Sequence, residues 1–372
     1  MRAKVLLIGL GSVATHAHEG GHLRQYLEDP LIEVVGGVDP DPAARSRALQ
    51  LGLPRAFTTF QDALAAAEFG YVSVLTPTIL HADACKTAST FCKHILCEKP
   101  LAASLSQAED IRKHVREAGV ACTVSMNLRF LPLSRRIRED FASGLFGEVF
   151  FIDLDECSGF NWSTFGYRRS LVDPISLVPF WGDPAAHSLQ RVLILDKVVH
   201  FLDLLMFWTG STVTSIYAQA GSQGRYLEPG ENLAALQLVL QSGTRCRLFH
   251  SWGSHHDDRV AGSISARIRI LGSEASAICE SQSKNSDARY EVYREGGLVR
   301  TDLFPVTRRT DYADAFKHLV HISQSRQRDY AELDQAVEVM KIVESAYESL
   351  STGSVIAHSA RSQETHPPCR YE

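Results

Sequence analysis

The stretch KVLLIGLGSVATHAH, residues 4–18, decides the fold of the amino-terminal part of this chain. A continuous apolar run stops at Gly9-Leu10-Gly11 and is followed three residues on by the small Ala14. Such a run, bounded by glycine, reads as a buried strand, and the residues after it as the start of a helix. Strand, Gly9-x-Gly11-x-x-Ala14 and helix form the pattern that cradles a dinucleotide pyrophosphate. The first glycine permits the turn, the second lets a phosphate approach the backbone, and the small third residue lets helix pack on strand. Taken alone the motif is weak, because glycine turns after strands are common. A second apolar run, IEVVGGVD, ends at Asp39, 25 residues beyond Ala14, near where an acid should meet the adenosine ribose. That acid would repel a 2′-phosphate, which favours NAD over NADP; it could equally serve only as a capping residue in the loop DPDP.

Working outward, YVSVLTP, HILCEKP and ACTVSM continue the short apolar runs to about residue 124. Helical segments lie between them, among them SLSQAEDIRKHVREAG, which starts at a serine and ends at a glycine. The expectation is a doubly wound parallel sheet of the Rossmann kind, α/β in class, over residues 1–124. Beyond residue 125 the pattern changes. EVFFIDLDE is one strand, and three hairpins turn at QSGT, GSE and EGG. They predict an α+β domain, residues 125–356, built on a large, mostly antiparallel open sheet. An apolar helix near 193–208 interrupts it, two helices near 310–327 and 331–351 close it, and residues 357–372 read as a disordered tail.

The chain has 372 residues, more than one ordinary core accommodates, which agrees with two domains. A net charge of −5 argues against a nucleic-acid surface and gives no reason to expect an anionic membrane as partner. The eight cysteines contain no C-x-x-C pair, so reduced thiols are expected. No signal peptide is expected ahead of the first strand. The run VVHFLDLLMFW carries His200 and Asp203 and is too short to span a bilayer. A soluble, cytoplasmic protein is expected.

Two further stretches carry chemistry. CEKPLA, residues 97–102, follows a strand and therefore lies at the carboxyl edge of the sheet, where ligands bind. From the six letters alone it could be a solvated turn. In LDKVVHFLDLLMFWTG, Asp196 and His200 are four apart and Asp203 lies three further on, so all three share one helical face in apolar surroundings. Buried ionisable groups need partners or a ligand. A core histidine satisfied by a carboxylate is the plainer alternative. No metal site is expected: HHDD at 255–258 and the group His16, His18 and His22 lack ligand spacing and read as solvated or packing residues.

Together GLGSVA, VDPDPAAR, TPTILHADAC, CEKPLA, NLRFLP, DKVVHFLDLL and VESAYESLSTGSV resemble the glucose–fructose oxidoreductase / inositol dehydrogenase family of NAD(P)-dependent oxidoreductases over residues 3–356. The resemblance implies cofactor contacts from Gly9, Gly11, Ser12, Val13, Ala14, Asp39, Thr76, Pro77, His81, Glu98 and Lys99. It implies that Lys99 lies beside the nicotinamide and the substrate hydroxyl, that His200 is the acid/base, and that Asp196 stands beside it. Substrate contacts would come from Lys99, Arg129, Asn161, Trp162, Asp196 and His200. The implied reaction is hydride transfer between NAD and a secondary hydroxyl of a sugar, sugar derivative or cyclitol, by a homodimer or homotetramer. The chain departs from the family where glycines usually precede the aspartate and separate it from the histidine. Here Gln190-Arg191-Val192 and Val198 stand instead, so pocket shape does not transfer. Two other readings fit the same residues: a redox-neutral sugar-modifying enzyme working through a transient keto sugar, and a non-catalytic NAD(P)-sensing regulator.

Overall fold

The computed structural model describes residues 2–15, 21–92, 94–157, 193–221, 231–251, 267–281, 287–305, 312–324 and 330–358. The first sheet contains β1 (Ala3–Ile8), β2 (Ile32–Val38), β3 (Ala56–Phe57), β4 (Tyr71–Val74), β5 (His94–Cys97) and β6 (Ala121–Val124). All pairs are parallel, in the order β3-β2-β1-β4-β5-β6. The order reverses at β1, which opens a crevice at the carboxyl ends of β1 and β4. Five of these strands were legible as apolar runs. The sixth, β3, has two residues and leaves no pattern.

Six helices connect them: α1 (Ser12–Thr15), α2 (Gly21–Glu28), α3 (Pro42–Gln50), α4 (Phe60–Ala66), α5 (His81–Ser89) and α6 (Leu105–Glu117). Three of them start at side chains that satisfy otherwise orphaned amides. Asp41 accepts from Ala43 and Ala44 N–H ahead of α3, and Thr59 forms a capping box with Asp62 ahead of α4. Ser104 caps α6, which closes before Gly119 at φ +61°.

The second sheet has nine strands: β7 (Val149–Cys157), β8 (Val213–Gly221), β9 (Leu233–Leu240), β10 (Arg245–Ser251), β11 (Arg267–Gly272), β12 (Ser276–Ser281), β13 (Ala288–Arg294), β14 (Gly297–Phe304) and β15 (Ile356–Ala357). Their order is β14-β13-β12-β11-β7-β10-β9-β8-β15, antiparallel throughout except between β7 and β10. The three expected hairpins are β9–β10, β11–β12 and β13–β14. Ile152, Leu154, Leu236, Leu248, Ile268 and Ile270 bury one face. On the other, Arg247 and Arg269 cover the buried Asp153 carboxylate. Beside the sheet lie α7 (Pro132–Ala142) and α8 (Val199–Thr209). The first ten residues of α8, Val199–Trp208, are all buried, as an apolar run on every side requires.

The last helices are α9 (Tyr312–Ser323) and α10 (Ala331–Thr352). The chain divides into two compact units: α9 and the first part of α10 group with residues up to 127, and the described residues of 128–305 group with the remainder of α10 and β15. The continuous 125–356 block expected from sequence is therefore interrupted. The cause is side-chain chemistry. Gln25 Oε1 accepts the Tyr312 and Ala313 amides at 3.0 and 3.2 Å, and Tyr71 OH lies 2.9 Å from Ser323 Oγ. Phe316 packs on Tyr26, and Arg116 and Thr123 bond Asp334 and Glu332.

The seven described cysteines are free thiols. No helix among the described residues is long and apolar enough to cross a membrane.

Candidate functional site

In the first unit the site grows from the turn after β1. Gly9 has φ +92°, and a Cβ there would lie 2.7 Å from Leu75 O and 2.8 Å from Thr76 N, so only glycine fits. Gly11 differs: a Cβ built on it would meet nothing within 4 Å. Nothing among the described residues demands a glycine there, so the bare backbone is free to be approached where a pyrophosphate would lie. Ala14 is fully buried. Asp39 ties the two loops of the crevice together. Its Oδ2 accepts Leu10 N–H at 2.8 Å and its Oδ1 accepts Asp41 N–H at 2.8 Å. Arg45 donates to Asp39 O at 2.7 Å and Pro40 O at 2.9 Å. Gly11, Ser12, Val13, Asp39, Thr76, Pro77 and Lys99 all keep some exposure.

His81 and Glu98, expected as cofactor contacts, turn inward. His81 is 1% exposed, with Nε2 2.9 Å from Thr76 O and Nδ1 3.0 Å from Pro100 O. Burial pushes its pKa down against the pull of those carbonyls. It staples the loop after β4 to the loop after β5. Glu98 is 4% exposed; its Oε1 lies 2.7 Å from His22 Nε2 and its Oε2 accepts Lys99 N–H at 2.9 Å. Burial pushes the Glu98 carboxyl up, but the His22 hydrogen bond and charge, with Lys99 and Ser125, hold it below the usual carboxylate range. His22 is thus a buried partner of the Glu98-Lys99-Pro100 turn, a role beyond the packing expected for it.

A carboxyl whose native pKa is depressed stabilises the fold above its unfolded pKa, and that contribution fades as pH falls through the native value. Acidification below the ordinary glutamate range should therefore destabilise the unmutated protein more steeply than Glu98→Gln. Thermal midpoints measured across acidic pH check this, and parallel curves would refute it.

In the second unit, Asp196 lies in a π-turn, Ile194–Val198, directly before α8, and His200 lies in the first turn of α8. Both are buried. An i→i+5 turn widens the helix at this point, a distortion that recurs at functional sites. Glu231 anchors it, accepting Ile194 N–H at 3.1 Å and Tyr347 OH at 2.6 Å on Oε1. Sequence reasoning missed Glu231. Asp203 does not join its two neighbours in one open face. It forms a bidentate pair with Arg129, whose Nε donates to Oδ2 at 2.7 Å and whose Nη2 donates to Oδ1. Arg129, expected as a substrate contact, is 5% exposed and commits these donors to the core.

Asn161, Trp162, Gln190, Arg191, Val192, His16, His18 and residues 255–258 lie outside the described residues. Among the described residues no group of three or more His, Cys, Asp or Glu side chains could hold a metal ion.

Residues 3–126 match the family model of an oxidoreductase family with an NAD-binding Rossmann fold, GFO/IDH/MocA, and residues 134–278 match its C-terminal domain. The chain is 28% identical over 222 residues to protein y4oX of Sinorhizobium fredii, covering 59% of this chain and 57% of the relative. It is 22% identical over 324 residues to the D-xylose 1-dehydrogenase [NADP(+)] of Haloarcula marismortui, covering 85% of this chain and 81% of that enzyme. The chain thus spans less than two thirds of the length of the first of these. Among solved structures it resembles an Agrobacterium radiobacter oxidoreductase in complex with NAD+, L-tartaric acid and magnesium, with TM-score 0.75 and 20% identity, covering 96% of this chain and 98% of the other.

Proposed function

The chain belongs to the GFO/IDH/MocA oxidoreductase family, and on that premise we propose that it transfers hydride between a nicotinamide dinucleotide and a secondary hydroxyl or keto group of a sugar, sugar derivative or cyclitol. The observation that carries this reading is the pair Gly9 and Gly11. One is forced by Leu75 and Thr76 at the strand-order reversal, and the other faces open space. The bound dinucleotide would supply the hydride acceptor. Gly9 to Ala14 would hold the pyrophosphate and Asp39 the adenosine ribose. His200 removes the hydroxyl proton onto its imidazole, and Lys99 donates a hydrogen bond to the same oxygen as charge develops on it. Asp196 orients the imidazole or holds a neighbouring hydroxyl. The test is a panel of sugars and polyols followed at the nicotinamide absorbance. Accumulating NADH supports the dehydrogenase; product formation without net NADH identifies the redox-neutral alternative, and no turnover with any polyol overturns the reading.

NAD should bind about tenfold or more tightly than NADP, because the Asp39 carboxylate repels a 2′-phosphate, and tenfold needs only ~1.4 kcal/mol. Asp39→Ala should erode the preference. It should also weaken both cofactors, since Asp39 holds the Leu10 and Asp41 amides. Equal dissociation constants in the unmutated protein, measured by fluorescence titration, would sink the assignment.

A further inference from the structure

Glu98 precedes Lys99, yet its carboxylate points into the protein and is reached from behind by His22. The backbone explains why this matters. Glu98 N–H donates to Val74 O at 2.9 Å, and Lys99 N–H donates to Glu98 Oε2 at 2.9 Å. Pro100 has no N–H, so the Lys99 amide is the last donor that can anchor this turn where it leaves β5. The Glu98 carboxylate therefore sets where the Lys99 main chain, and with it the base of the ammonium arm, is held.

A buried carboxylate keeps its place only if donors satisfy it. His22 is fully buried, with Nε2 2.7 Å from Glu98 Oε1 and Nδ1 3.0 Å from Tyr26 OH. Tyr26 OH lies 3.2 Å from Ser73 Oγ, and burial pushes its pKa up, so the phenol keeps its proton. Ser73, Tyr26, His22 and Glu98 thus form one continuous hydrogen-bonded chain that ends on the Glu98 carboxylate. The ring plane is fixed as well, because His22 stacks on Tyr312 of α9 with centroids 4.0 Å apart and planes 25° from parallel. Four segments distant in sequence converge to orient one imidazole. Packing alone would need none of this polarity.

We propose that His22 and Glu98 are a positioning pair that fixes the Lys99 backbone, and through it the direction of the ammonium group. The inference rests on the reading that Lys99 acts on the reacting oxygen. Without the His22 donor, Glu98 takes up a proton or rotates away; the first weakens its hold on the Lys99 amide and the second releases it. Small displacements of a group that must meet developing charge can cost on the order of a hundredfold in rate.

The experiment compares His22→Phe, which keeps the stacked ring and loses the donor, with His22→Gln, whose amide can reach Glu98. His22→Phe should lower kcat about tenfold to a hundredfold, with the NADH dissociation constant unchanged. In ligand-free protein labelled with 15N-lysine, the Lys99 amide resonance, assigned by its loss in Lys99→Ala, should move in His22→Phe. His22→Gln should restore both kcat and the resonance. A folded His22→Phe with normal kcat and an unmoved Lys99 amide overturns the positioning pair. Normal turnover in Lys99→Ala instead overturns the catalytic reading beneath it. Should His22→Phe fail to fold, the Lys99 amide in Glu98→Gln decides: a shifted resonance supports the pair, and an unmoved one overturns it.

Discussion

Replacing His200 with alanine should lower turnover by about 10²–10⁴-fold near neutral pH, the range that a positioned general base contributes. Lys99→Ala should cost a comparable factor, because a hydrogen bond to developing alkoxide acts in the transition state more than on bound substrate. The residue types fit the task. An imidazole has an unperturbed pKa of ~6.5 and can exchange a proton at working pH, whereas an ammonium donates without needing to give its proton up. Local structure fits too, since His200 sits two residues beyond a π-turn that Glu231 anchors. His200→Ala should bind NADH normally, because no dinucleotide contact is proposed for His200, whereas Lys99→Ala can lose its contact beside the nicotinamide as well. Steady-state kinetics with a polyol from the panel, together with fluorescence titration of NADH, separates the two effects. If His200→Ala turns over at near-normal rate across pH, the residue is a core histidine and the catalytic assignment of this helix fails.

The parts of the fold that were legible in the sequence were those carried by local signals. Short apolar runs gave the parallel sheet, and QSGT, GSE and EGG gave the hairpins, because turn chemistry and strand period are written in adjacent residues. The return of α9 to the first unit was not legible. It depends on Gln25 Oε1 meeting amides nearly three hundred residues away, and no local pattern encodes that pairing. The same holds for the site. Gly9, Gly11 and Asp39 belong to one short unit and were readable together. His22 was not, since its partner Glu98 is 76 residues distant. A faint signal existed: His22 and Tyr26 are four apart on the buried face of α2, where a histidine must find a partner. Asp203 carried a similar signal, a carboxylate within an apolar helix, but nothing nearby named the cation.

That cation is Arg129, and the pair predicts a second large effect. The two side chains are 5% and 1% exposed, and the Arg129 guanidinium lies 5.3 Å from the centroid of Phe207. Removing one partner of a buried ion pair strands the other charge in a poor solvent, which typically costs about 3–5 kcal/mol. Arg129→Met and Asp203→Leu should each destabilise the second unit by that order in chemical denaturation. The double variant should be much more stable than either, because two apolar groups can replace a buried pair at little net cost. A substrate contact would behave differently. Arg129→Met would then raise KM and leave the denaturation midpoint in place, and adding Asp203→Leu would rescue nothing. Intact stability in Arg129→Met with a raised KM would return Arg129 to the substrate site. Loss of stability recovered in the double variant identifies the pair as a structural bolt between α8 and the short 3₁₀ turn at residues 127–130.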